Sequence, residues 1–201
     1  MVLKQSLKHS KNYLKFCKEK NMLLSEVANE QTLTYDGQTI TAGSKVWTSE
    51  NLNIDDGGDG IYHEDGNTFY TYDAAMRICS KLKNWRLPTL TEWQALIRDF
   101  GGVPQNKQRG SWGTPRYGSF KLTSSDLEYD FRLKHTGVIL SNGSHMNSFK
   151  TCYWVNSDNR GISVQFPPDK YLYDGTHISQ RFVNIDDWTP ESAICIRLVK
   201  D

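Results

Sequence analysis

Catalysis and metal binding need titratable or nucleophilic side chains at workable spacing, and this chain of 201 residues offers five histidines and four cysteines. His9, His63, His135, His145 and His177 keep no metal-ligand spacing, and each reads as an ordinary loop or surface residue. Cys17, Cys79, Cys152 and Cys195 lie far apart with no C-x-x-C among them, which argues against a zinc ribbon. No G-x-S-x-G elbow, H-E-x-x-H helix or phosphate-binding P-loop occurs. Acidic residues are plentiful, but without a spatial arrangement no pair can be assigned acid and base roles. The segment Asn53–Glu64 partly echoes an EF-hand loop. It has oxygens at positions one, three, seven and twelve and Gly58 at six. Gly57 stands at position five, where a ligand belongs, and no helix pair flanks the segment. A solvated, turn-rich loop is the better reading, so neither a metal nor a cofactor is expected.

Global composition narrows the partners. Net charge is +1, which gives no general attraction to nucleic acid or to an anionic membrane. The basic and aromatic stretch 101–121 is a weak footing for nucleic acid, and none is expected as a partner. No run approaches the roughly 20 apolar residues of a membrane span. Residues 1–29 scatter lysines without a continuous apolar stretch, so no secretory signal is read there. The expectation is synthesis in the cytoplasm. Surface or virion association would then follow another route, such as release of a phage particle by lysis.

The elements that must position any site follow from periodicity. Residues 1–30 predict a helix, with Leu3, Leu7, Leu14, Cys17 and Leu24 on alternating three- and four-residue steps. That helix either packs on its own domain or docks onto other protein subunits. Its six lysines against three glutamates make a membrane surface a lesser alternative. From Gln31 the period changes to two. Leu33 and Tyr35 lead into Asp36-Gly37, a type I′ turn signal, and a second turn at Gly43-Ser44 precedes Val46-Trp47. A helix over about 71–83 would carry Tyr72, Ala75, Met76, Cys79 and Leu82 on one face. Pro88 keeps Leu87 extended, and Thr89 with Glu92 forms a capping box. Trp93, Leu96, Ile97 and Phe100 follow at helical spacing before Gly101-Gly102. Residues 101–130 read as a long loop, the kind that is functional or disordered. Beyond it, Ile162, Val164 and Phe166 alternate, Asp174-Gly175 marks a hairpin, and Ile194, Ile196 and Leu198 alternate in a last strand.

The block Trp85-Arg86-Leu87-Pro88-Thr89 … Glu92-Trp93 resembles the WRLPT/EW signature of the formylglycine-generating-enzyme branch of C-type-lectin-like folds. Asp36-Gly37-Gln38, Gly43-Ser44-Lys45-Val46-Trp47 and Glu50-Asn51-Leu52-Asn53 lie upstream in the order found in the Fibrobacter succinogenes major paralogous domain. Tyr70 to Cys79, Phe131/Leu133/Gly137, Trp154 to Ser157 and Ile196 to Asp201 continue the resemblance, which spans roughly residues 31 to 201. It implies an α+β C-type-lectin-like domain over 31–201, two helices on twisted antiparallel sheets, behind an N-terminal helical extension over 1–30.

The resemblance carries functional expectations too. The enzyme branch oxidises a substrate cysteine with a close pair of cysteines near its C-terminal end, and this chain has no close pair, so no enzyme is expected. Lectin-like folds often link the first helix to the final strand, which would pair Cys79 with Cys195; reduced buried thiols are the alternative. Calcium-dependent relatives use an E-P-N or Q-P-D tripeptide, which is absent. Ligands in such folds are met by the loops of the second sheet, here 101–130 and 156–191. The expected ligand-binding residues are Trp112, Arg116 and Tyr117 from the first loop, and Asn156, Asp158, Asn159, Arg160, Tyr171, Tyr173, Asp186, Asp187 and Trp188 from the second. Aromatics beside Asp, Asn and Arg give a glycan or a cell-surface protein flat apolar faces and directional hydrogen bonds. The expected function is non-catalytic recognition or structural support on a bacterial surface or bacteriophage virion. A degenerate enzyme and a purely architectural virion protein are the alternatives.

Overall fold

The computed structural model describes residues 32–105, 117–122, 131–134, 136–146, 151–158, 161–166 and 182–201. The chain divides into two compact units, Met1–Leu33 and Thr34–Asp201, and every strand and helix named below belongs to the second. The helix expected over 1–30 and the Asp174-Gly175 hairpin lie outside the described residues.

Strands β1 (Thr39–Ala42) and β2 (Lys45–Thr48) form an antiparallel hairpin. Its turn is Gly43-Ser44, with φ of 58° and 60°. Positive φ at both central residues is what a type I′ turn demands. The I′ turn expected at Asp36-Gly37 is absent, because neither residue takes a positive φ. Instead the Tyr35 hydroxyl donates to the Gln38 carbonyl at 2.8 Å. A second hairpin joins β3 (Ile61–Glu64) to β4 (Asn67–Tyr70) through Asp65-Gly66, φ 48° and 71°.

Helix α1 (Tyr72–Lys81) starts at Thr71, whose hydroxyl accepts the Ala74 amide. Its buried face is Tyr72, Ala74, Ala75 and Ile78, continued by Leu82. The expected face is thus corrected by a rotation, since Met76 is 38% exposed and Cys79 only partly buried. The small pair Ala74-Ala75 explains the shift, because that face lets the helix approach its neighbours more closely than Met76 would.

After β5 (Trp85–Arg86), helix α2 (Leu90–Asp99) begins as its sequence dictates. The Thr89 hydroxyl accepts the Glu92 amide, and the Glu92 carboxylate accepts the Thr89 amide at 2.8 Å. Arg86 grips the same carboxylate through both terminal nitrogens, at 2.8 and 2.7 Å. That guanidinium, followed by the Thr89 amide, holds the Glu92 carboxyl down to about 2 against the opposing effect of burial. Its folded pKa lies below the unfolded value of roughly 4.3. The stabilisation is therefore complete above that value and is lost as pH falls toward about 2. Glu92→Gln should lower the melting temperature at neutral pH, and the gap to wild type should close as pH falls through this window. A gap independent of pH would remove the Arg86–Glu92 pair from the acid sensitivity.

The stretch expected to be one long loop is partly strand. β6 (Gly102–Pro104) pairs with β7 (Gly118–Leu122), and β6 ends a five-stranded sheet, where Pro104 costs no interior hydrogen bond. The remaining strands are β8 (Val138–Ile139), β9 (His145–Met146), β10 (Thr151–Trp154), β11 (Ile162–Phe166), β12 (Phe182–Asp187) and β13 (Val199–Lys200). They form an α+β arrangement of antiparallel sheets in the orders β1-β2-β13-β5 and β10-β11-β12-β7-β6, with hairpins β3-β4 and β8-β9. Trp47, Phe69, Trp93, Phe131, Tyr153 and Phe166 make the aromatic centre of the core. The expected alternation over 194–198 fails: every residue from Ser192 to Val199 is buried. The segment threads the interior through single bridges to Tyr70, Ile139 and Tyr153 instead of lying on one sheet face. Among the described residues no helix is long and apolar enough to cross a membrane.

Candidate functional site

Register brings distant segments to one end of the five-stranded sheet. Ile162 pairs with Asp187 and Ser163 with Asp186, while Trp154 faces Ser163 on the other side. The Tyr117 amide donates to the Ile185 carbonyl at 3.1 Å, and the Asn156 amide to the Pro88 carbonyl at 2.8 Å. The Trp188 amide donates to the Gly161 carbonyl. Gly161 has φ of 88°, and a Cβ there would lie 2.3 Å from the Trp188 carbonyl oxygen, so the close crossing requires glycine. Tyr72 ties the end together. Its hydroxyl donates to the Ser157 carbonyl at 2.9 Å, its amide to the Pro190 carbonyl at 3.1 Å, and its ring meets Trp154 edge-on.

Six of the expected ligand-binding residues, Tyr117, Asn156, Asp158, Asp186, Asp187 and Trp188, therefore share one end of the sheet. Asp158 and Asp187 are exposed, and Tyr117 is half-buried with its ring against the core. Trp112, Arg116, Asn159, Arg160, Tyr171 and Tyr173 lie outside the described residues. An open groove of about 500 Å³ runs beside Asp187 and Trp188, walled by Leu140, Thr189, Pro190 and Ser192. Leu140 and Ser192 fell outside the expected loops. Both segments carry turn chemistry, but only the bridge between Ile139 and Ala193 brings them together.

The groups that could act as nucleophiles are elsewhere and are suppressed. Cys79, Cys152 and Cys195 are free thiols, so the Cys79–Cys195 link that the resemblance allowed is not formed. Burial pushes the Cys195 thiol up to about 11, outweighing its hydrogen bond to Thr136 and the charge of Arg197. Burial likewise lifts Cys79 to about 12. The thiolate is the reactive form, so both are inert at neutral pH. Peptide mapping after iodoacetamide treatment of the native protein at mildly alkaline pH should leave Cys79 and Cys195 unlabelled until denaturant is added. Fast native labelling of either would contradict their burial.

Arg197 went unassigned in the sequence, although a lone arginine inside the apolar run Ala193–Val199 is a signal. It is fully buried and donates to Asn51 Oδ1 at 2.8 Å, Thr48 O at 3.0 Å and Arg132 O at 2.7 Å. The Tyr153 hydroxyl shares the Asn51 oxygen at 3.0 Å. The guanidinium carbon sits 4.8 Å from the Phe131 ring centroid and 5.9 Å from that of Tyr153. Asn51 of the Glu-Asn-Leu-Asn tetrad is thus an interior acceptor.

The loop resembling an EF-hand does not converge on a cation. Asn53 Oδ1 accepts the Thr68 hydroxyl. Asp55 meets His63 Nε2 at 2.8 Å and the Gly57 amide at 2.7 Å. Asp56 is held by Arg77 at 3.0 and 3.2 Å and by Lys81 at 2.9 Å, pinning the loop to α1. Arg77 first, then Lys81, holds the Asp56 carboxyl far below the carboxylate range. Glu64 points into a different group: one ligand atom each from Glu64, Asp65 and His145 lie within 4.8 Å of one another. The absence of metal spacing among the histidines in sequence did not foresee this.

No protein-family model matches the chain, and no curated protein and no solved structure shows significant similarity to it.

Proposed function

We propose that this chain is a non-catalytic recognition or structural module of the C-type-lectin-like kind, from a bacterial surface or a bacteriophage virion. It meets a glycan or a protein at the end of the five-stranded sheet. The observation that carries this reading is the convergence of Asn156, Asp158, Asp186, Asp187 and Trp188 beside an open groove. An indole edge next to carboxylates and hydroxyls offers apolar contact with directional hydrogen bonds, the combination that polar ligands need. Two helices over antiparallel sheets support the lectin-like reading, as does the Trp85–Trp93 block forming β5, a turn and α2. Buried, protonated thiols support a role without covalent chemistry. Residues 1–30 are assigned to docking on other subunits or to self-association.

Glycan-array and cell-surface binding of the full chain tests the site, with Asp158→Ala and Asp187→Ala as probes. Both positions are exposed, so melting temperatures should stay within about 0.5 kcal/mol of wild-type stability. At least one variant should weaken retention about tenfold. Retention on no glycan or surface fraction, or equal retention by both variants, would overturn the reading. For the docking segment, the full chain should show a multimeric mass in solution and a chain starting at Gln31 a monomeric one. Equal states for the two would assign the segment elsewhere.

A further inference from the structure

We infer that Glu64, Asp65 and His145 form a surface site for a divalent transition-metal ion of the zinc class. The three come from two hairpins: Glu64 and Asp65 sit at the tip joining β3 to β4, and His145 on β9. Their ligand atoms lie within 4.8 Å of one another. Zinc takes nitrogen and oxygen ligands at roughly 2.0–2.2 Å, so binding needs a further contraction of about 1 Å. Glu64 and Asp65 are both exposed, and rotation of their side chains supplies it.

His145 is prepared for the role by groups outside the cluster. Its Nε2 lies 3.0 Å from the Thr136 carbonyl oxygen, which only accepts, so Nε2 carries the proton. Neutral imidazole then keeps its lone pair on Nδ1. A ligating histidine that donates its other ring N–H to a backbone carbonyl is the usual outer-shell arrangement in metal proteins, because it fixes tautomer and orientation. Thr136 is itself anchored. Its amide donates to Thr151 Oγ1 at 3.3 Å, and its hydroxyl accepts the Cys195 thiol at 3.3 Å. The ring packs edge-on to Phe69 of β4 at 5.4 Å, so the hairpin that carries the carboxylates also orients the imidazole. Among the described residues no lysine or arginine pairs with Glu64 or Asp65, which leaves two adjacent negative charges for a cation to neutralise.

The donor set selects the metal. One imidazole with two carboxylates suits zinc, nickel or cobalt, whereas calcium and magnesium prefer oxygen alone. Three protein ligands leave at least one coordination position open. The ion would clamp the β3-β4 hairpin to the β8-β9 hairpin, and the latter runs into Leu140 of the groove wall.

Calorimetric titration of the untagged full chain with Zn²⁺ alone tests the site. One ion should bind per chain with micromolar affinity and raise the melting temperature. Glu64→Gln and Asp65→Asn should each weaken binding at least tenfold while leaving the metal-free melting temperature unchanged. Asparagine keeps the left-handed turn conformation at position 65. His145→Gln should abolish binding, whereas His63→Gln should leave it intact. Should His145→Gln fail to fold, the two exposed carboxylate variants decide. Co²⁺ in place of Zn²⁺ should show no thiolate charge-transfer band. No uptake, equal affinity for Ca²⁺, a thiolate band, or binding indifferent to the carboxylate variants would each overturn the assignment.

Discussion

Arg197→Lys is expected to destabilise the domain by about 3–5 kcal/mol, the usual cost of breaking a buried charge's only compensation. The guanidinium spans acceptors on three separate segments: Thr48 at the end of β2, Asn51 just beyond it, and Arg132 between β7 and β8. A planar fork of five donors meets all three at once, while an ammonium is a point donor on a flexible stem. Lysine would therefore keep the buried charge and orphan at least one carbonyl, each orphan costing roughly 1–3 kcal/mol. It would also lose the flat contact over Phe131. For a chain of this size the loss should lower the melting temperature by about 6–20 °C. Urea unfolding of the two proteins is the measurement. An unchanged midpoint would mean that the fork does not hold these segments together.

Trp93→Ala should cost about 3–5 kcal/mol, as large aromatic-to-alanine core changes do. Trp93 has no exposed surface and joins α2 to both large sheets. Its ring stacks on Tyr153 of β10 at 5.5 Å and 27°, and meets Trp47 of β2 at 5.0 Å. Phe131 and Phe166 approach its edges at 6.2 and 6.3 Å. Its indole nitrogen donates to the Trp154 carbonyl at 3.4 Å, so truncation also leaves a buried acceptor unpaired. A shift in urea midpoint at constant slope is the expected signature. A variant as stable as wild type would place Trp93 outside the core. Tyr153 and Phe131 touch both Trp93 and Arg197, so the two substitutions should combine non-additively.

These two residues show how unevenly the fold was legible. Trp93 was readable because its evidence is local: the capping box starts a helix, and the 3.6-residue period then assigns its apolar face. The Gly43-Ser44 turn was readable for the same reason. Asp36-Gly37 carries an equally good turn signal, yet the pairing that matters lies between β1 and β2, and that choice is made by packing. The apolar face of α1 was misjudged by one step because hydrophobicity weighs Met76 above Ala74, while close packing prefers the smaller side chain. Residues 102–104 and 118–122 read as loop because a short edge strand gains its stability from a partner, not from its own composition.

The candidate site divides along the same line. Residue types alone marked Asn156, Asp158, Asp186, Asp187 and Trp188 as suited to recognition, because exposed polar groups beside an aromatic ring have that chemistry in any fold. That they share one end of a sheet was decided by the register of β10, β11 and β12, together with the close crossing at Gly161. Local physics in the chain determined its helix starts, its hairpin turns and its aromatic core. Only the tertiary structure could bury Arg197 among carbonyls and bring His145 to Glu64 and Asp65. Contacts between residues about 80 to 150 positions apart depend on how sheets close around a core, and no period within the sequence encodes that closure.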